Sequence, residues 1–134
     1  MAKPQKLTRH EAEVAFSETD GTFEIVNSAD DCGKWVYDPA YPVQRFVGRI
    51  VGRTEEETAH DWSLWLESER QDRPEYINDL EAAWLKDPSA VGPVTVAELQ
   101  DGSIDIGDGW HRIAIAVANG MQTIPAIVGL NCKV

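Results

Sequence analysis

No apolar run in this 134-residue chain approaches the roughly 20 residues a helix needs to cross a bilayer. A membrane-spanning helical protein is therefore excluded from the readings. The first ten residues carry basic side chains with no apolar stretch behind them, so no secretory signal is expected there. Cysteine is scarce: Cys32 and Cys132 are far apart and show no CxxC spacing, and the three histidines, His10, His60 and His111, are scattered. That set assembles no zinc motif, so no metal site is expected. The thiols read as reduced and the protein as cytoplasmic.

Positive charge is short as well. Against 23 acidic residues stand 12 basic ones, a net charge of -11. Nucleic-acid affinity comes mainly from Lys and Arg neutralising phosphates, and a field of this sign repels a polyanion. Duplex DNA binding by the chain alone is not expected. A small phosphate ligand is still compatible, because buried cations and backbone dipoles act at short range. An acidic surface also suits a partner with a basic groove.

What is present fits one α+β domain spanning residues 1–134, with a hydrophobic share of 43% that is ordinary for a globular core. Residues 1–20 are polar and read as an arm or a short marginal helix. Residues 22–26, Thr-Phe-Glu-Ile-Val after Asp20-Gly21, read as a strand, followed by a polar turn over 28–33. Lys34, Trp35, Val36 and Tyr37 read as a second short strand stopped by Asp38-Pro39. Residues 41–52 decide neither helix nor strand.

Thr54 followed by Glu57 is a capping-box pattern, with Glu55, Glu56 and Glu57 favoured by the dipole of a first turn. From there Ala59, Trp62, Trp65 and Leu66 recur at helical spacing. A second helix opens near Pro74 with Asp72 as candidate cap, carries Tyr76, Ile77, Leu80, Ala83 and Trp84 as its buried stripe, and ends at Asp87-Pro88. Tryptophans at such spacing are core residues far more often than ligand contacts, so Trp62, Trp65 and Trp84 are read as packing.

After Gly92-Pro93 the pattern changes. Strands are expected over 94–96 and 103–106, an Asp101-Gly102 turn between them, a flexible Gly107-Asp108-Gly109 turn, and a buried helix over 110–119. Gly120 supplies the stop. A last strand covers 123–128, with Pro125 marking an edge or bulged position. The first N–H groups of a helix lack intrahelical partners and carry partial positive charge. His111 and Arg112 in that first turn add a titratable donor and a permanent planar cation suited to phosphate oxygens. A basic residue there opposes the helix dipole unless an anion lies between them, and this local conflict points to a ligand. Arg112 pairing with Asp105 or Asp108, and Asp108 capping the helix, are the competing structural readings.

Asp108-Gly109-Trp110-His111-Arg112, an alanine-rich helix, Gly120 and then Thr123-Ile124-Pro125-Ala126-Ile127-Val128 resemble the signature of the ParB/sulfiredoxin superfamily. The likeness makes residues 94–128 the core motif and implies a small mixed sheet packed with helices. It also implies a turn that contacts nucleotide phosphates. Carried over by position, Gly107, Asp108, Gly109, Trp110, His111 and Arg112 line the ligand site. In it His111 and Arg112 contact phosphate, Gly109 permits close approach, and Asp108 shapes the turn or acts on a metal or water. Asp108 and His111 are the catalytic candidates, and a nucleoside triphosphate with Mg2+ is the implied cofactor, with Asp108 or Asp105 helping to hold the metal. Trp110 stands where sulfiredoxins carry their cysteine, which rules out that activity. Glu24 is the only counterpart of the glutamate used by serine kinases of this fold. The second function class is a non-enzymatic acidic protein of phage or plasmid origin that binds a basic partner or imitates nucleic acid.

Overall fold

The computed structural model describes residues 5–6, 32–48, 50 and 55–133. The expected arm, the strand over 22–26 with Glu24, and Thr54 lie outside the described residues, as do the side chains of Glu55, Glu56, Glu57 and Ala59.

The protein is α+β, as the alternating strand and helix patterns imply. Its strands are β1 (Gln5–Lys6), β2 (Lys34–Pro42), β3 (Val94–Leu99), β4 (Ile104–Asp108) and β5 (Thr123–Cys132). They form one mixed sheet in the order β1-β2-β5-β3-β4. The central strand β5 runs antiparallel to β2 and parallel to β3, and β4 returns antiparallel along β3. The helices are α1 (Glu55–Asp72), α2 (Pro74–Lys86), the single turn α3 (Pro88–Val91) and α4 (Trp110–Ala118), with a 3-10 turn over Val43–Val47.

Alternation along the strands decides where the core lies. Val94, Val96, Ile104, Ile106, Ile124, Ala126 and Val128 point into one cluster with Trp62, Leu66, Ile77 and Trp84 of the helices. Helix α4 lies at the middle of this cluster, and Ile113, Ala114, Ile115 and Ala116 are fully buried in succession. Four consecutive buried positions fit a helix sandwiched between the sheet and another helix, here α1. Trp62 donates its Nε1 proton to Phe46 O at 2.7 Å, so the buried indole satisfies a carbonyl of the 3-10 turn. Tyr41 on β2 donates to Glu98 Oε2 on β3 at 2.8 Å across β5. Burial, reinforced by the Glu98 charge, pushes the Tyr41 phenol well above its ordinary range.

Several expectations need correcting. β2 does not stop at Asp38-Pro39 but continues to Pro42. The pairing with β5 shifts register between Asp38 and Tyr41, so Pro39, which lacks an N–H, falls in the bulge. Of the two positions expected for Pro125, the edge is excluded because β5 is central, and the residue lies opposite the β2 bulge. Asp72 caps nothing: Arg73 is the N-cap of α2, makes no side-chain capping bond and is followed by proline. Tyr76 and Ala83, expected on the buried stripe of α2, are exposed. Gly107 belongs to β4 and is buried, so the turn is narrower than the glycine pair implies.

The cysteines are corrected too. Cys32 and Cys132 form a disulfide. The β2–β5 register pairs Lys34 with Leu130, and Gly33 donates to Leu130 O at 2.9 Å, so continuing the ladder brings residue 32 to residue 132. A separation of 100 residues hides that adjacency. Disulfides persist in oxidising compartments, so the free-thiol argument for a cytoplasmic location falls. No helix among the described residues is long and apolar enough to cross a membrane.

Candidate functional site

The site begins where β4 turns into α4. Gly109 joins them with φ 106° and ψ 24°, a left-handed conformation that favours glycine. A Cβ on Gly109 would lie 2.5 Å from Val94 Cγ1. The close approach that needs a glycine is therefore to the first residue of β3, and it locks the start of α4 against the sheet. Asp108 is not the N-cap of the helix: that position falls to Gly109, which has no side chain to accept from the first amides. The Asp108 Oδ2 faces Arg112 Nη2 at 3.4 Å instead.

Arg112 is held from several sides. Its Nη1 donates to Gly92 O at 2.9 Å and Pro93 O at 3.1 Å, and its Cζ lies 5.9 Å from the Trp84 ring centroid. The side chain is only 14% exposed. Burial lowers the guanidinium pKa and the Asp108 charge acts against that shift, yet an arginine stays charged. This cation sits at the root of the site, with several of its donors engaged by the protein.

His111 faces a different surrounding. Its ring stacks on Trp65 (centroids 4.9 Å apart, planes at 25°) and meets Tyr76 edge-on at 5.5 Å. Its Nε2 lies 2.6 Å from Glu69 Oε1 and 3.3 Å from Arg73 Nη2. Arg73 extends over the Tyr76 ring at 4.5 Å and lies 3.9 Å from Glu69. These residues come from the end of α1, the single residue joining it to α2, and the start of α2. Arg70 holds the two helices together by bonding Asn78 and, at 3.1 Å, Glu81, and Glu81 also accepts from Asn119 at 3.0 Å beyond the end of α4.

A cleft of about 490 Å³ opens between these groups, lined by Trp65, Tyr76, Leu80, Val91 and residues 108–112. That volume is within the range of small-molecule sites. The N–H groups of His111 and Arg112 precede the first intrahelical bond of α4, from Ile113 N to Gly109 O at 2.9 Å, so neither has a partner inside the helix. Aromatic rings, the first residues of α4 and the Arg112 guanidinium share this lining, which can receive an apolar or planar body with an anionic group, and Arg73 lies beside it against His111 and Tyr76. Among the described residues no group of three or more His, Cys, Asp or Glu side chains is placed to hold a metal ion.

The structure brings Asp108, Gly109, Trp110, His111 and Arg112 to one cleft and leaves Gly107 inside β4. Asp105 does not pair with Arg112. Its half-buried carboxyl is raised above the ordinary value by burial, offset in part by the Ile106 amide. Reading the sequence missed Trp65, Glu69, Arg73 and Tyr76 as site residues. A signal was available: Trp65, Glu69 and Arg73 are spaced by four, as are Tyr76 and Leu80, so each set lies on one helix stripe. No local pattern shows that both stripes face the start of α4. Compared with protein-family models, curated proteins and solved structures, the chain finds no match.

Proposed function

We propose that the cleft at the start of α4 binds a nucleotide or a similar phosphate-bearing ligand, in line with the ParB/sulfiredoxin resemblance of residues 108–128. The observation that carries this reading is the 490 Å³ cleft whose lining includes the first residues of α4 together with Trp65 and Tyr76. Phosphate oxygens would take the amides of His111 and Arg112, which also carry the positive end of the helix dipole. Arg73, with its side chain 48% exposed, is the cation able to swing onto a phosphate. The planar part of the ligand would lie along the Tyr76 side of the cleft. Mg2+ would arrive on the phosphates, since Asp108 offers one carboxylate that already faces Arg112.

Calorimetric titration with ATP, CTP and GTP, each with and without Mg2+, tests the reading. Saturable binding to at least one is expected, and Arg73→Ala should weaken it about tenfold, roughly 1.4 kcal/mol. No heat with any nucleotide would remove the proposal.

A second reading, docking of a basic protein partner, draws on a different surface. Leu64 and Leu85 are 57% and 45% exposed, and Glu67, Asp72, Glu75 and Asp79 are exposed on the same two helices. Such docking would weaken steeply with salt, whereas an association indifferent to salt would count against it.

A further inference from the structure

Nucleotide binding leaves open what the imidazole does in the cleft. Nε2 of His111 has two neighbours that require opposite protonation of that nitrogen. Glu69 Oε1, at 2.6 Å, can only accept, and Arg73 Nη2, at 3.3 Å, can only donate. The shorter contact is characteristic of a charge-assisted bond. The longer one is marginal, and the same guanidinium has the Tyr76 ring and the Glu69 carboxylate as alternatives. The proton therefore belongs on Nε2, donated to Glu69. In the neutral ring the lone pair then sits on Nδ1, which makes no hydrogen bond to any described residue.

The ring has little freedom to reverse this choice. Trp65 stacks on one face, Tyr76 abuts it edge-on, and the Glu69 bond fixes its rotation. A carboxylate that selects one tautomer and leaves the other nitrogen basic is the division of labour used in general-base catalysis. Purely structural cross-linking of α1 to α4 would need the Glu69 bond but not a cleft beside the ring, and His111 lines the cleft.

The geometry points to His111 Nδ1 as the general base of the cleft, with Glu69 as the positioning residue that sets it. The inference rests on the nucleotide reading for its electrophile, the terminal phosphorus of a nucleoside triphosphate, with water as the nucleophile. As the water oxygen bonds to that phosphorus, the bridging P–O bond breaks and its electron pair leaves with the nucleoside diphosphate. Nδ1 takes the water proton and later returns it to solvent. Helix amides, Arg112 and Arg73 face the charge that spreads over the phosphate oxygens.

Two measurements test it. Nitrogen-15 spectra of the His111 ring should show the Nε2–H tautomer in the wild type and in Glu69→Gln, which keeps an acceptor, and a mixture in Glu69→Ala. With ATP or CTP and Mg2+, phosphate release should fall about 100-fold or more in His111→Ala and about tenfold in Glu69→Ala. Glu69→Gln should recover most of the loss, and calorimetric titration of each variant with the same nucleotide separates lost turnover from lost binding. An Nδ1–H tautomer in the wild type, or undiminished turnover by His111→Ala, overturns the inference. Binding without turnover also overturns it but leaves the nucleotide reading standing, while absence of binding removes both. Thermal midpoints near that of the wild type separate these losses from misfolding, and Glu69→Gln supplies the test should either alanine variant fail to fold.

Discussion

The root and the flank of the cleft use the same kinds of side chain for different ends. At the root, Arg112 lies under the surface, with two carbonyls, a carboxylate and an indole around it. Beside the cleft, Arg73 is half exposed, and among the described residues the carboxylate it faces, Glu69, lies 3.9 Å away. Exposed ion pairs at such a distance contribute little to stability. A buried guanidinium facing main-chain carbonyls cannot be removed without leaving acceptors bare. The difference teaches that a short sequence run such as Asp-Gly-Trp-His-Arg can be split by the fold. Gly109 and Arg112 build the turn, and His111 faces the cleft with partners from elsewhere.

That contrast can be broken by substitution. The largest loss is expected for Gly109→Ala, where φ of 106° and a 2.5 Å approach to Val94 Cγ1 act together. Left-handed strain and overpacking add to about 3–5 kcal/mol, read as a lowered midpoint in urea unfolding. Next comes Arg112→Met, which strips the donor from Gly92 O and Pro93 O and should cost about 2–4 kcal/mol in the same measurement. If Arg112→Met were as stable as the wild type, the root would not be structural and the comparison would fail.

A third test contrasts the two carboxylates of β4. Asp108 has a guanidinium beside it, whereas Asp105 is half-buried with its pKa raised by burial. A raised folded-state carboxyl pKa means that the fold disfavours the charged form. Its penalty is absent below the unfolded pKa and complete above the folded one. Asp105→Asn should therefore raise the thermal midpoint modestly near neutral pH and leave it unchanged in acid. An equal gain at both pH values would rule out this cause. The smallest effect belongs to Arg73→Ala, whose stability should stay within about 0.5 kcal/mol of the wild type even though nucleotide binding weakens.

Much of the fold was legible because local rules and tertiary packing agree in the second half of the chain. Val96, Ile104, Ile106 and Val128 alternate as strand residues should, and Ile113 to Ala116 are apolar on every side because both sides of α4 are covered. What escaped was non-local. Pro39 reads as a stop because its context on a bulge depends on β5. Cys32 and Cys132 read as separate thiols because the ladder that joins them is not adjacent in sequence. Only the α4 half of the candidate site was visible. Glu69, Arg73 and Tyr76 look like ordinary surface and stripe positions until α1 and α2 are laid beside α4.

The disulfide also changes the covalent topology of the molecule. Because it joins Cys32 to Cys132, both cleft-forming helices, all of α4 and four of the five strands belong to one closed ring. A protease nick between α1 and α2, at the single residue Arg73 that links them, would leave both pieces on one band in a non-reducing gel. Only after a reductant is added would the two fragments part.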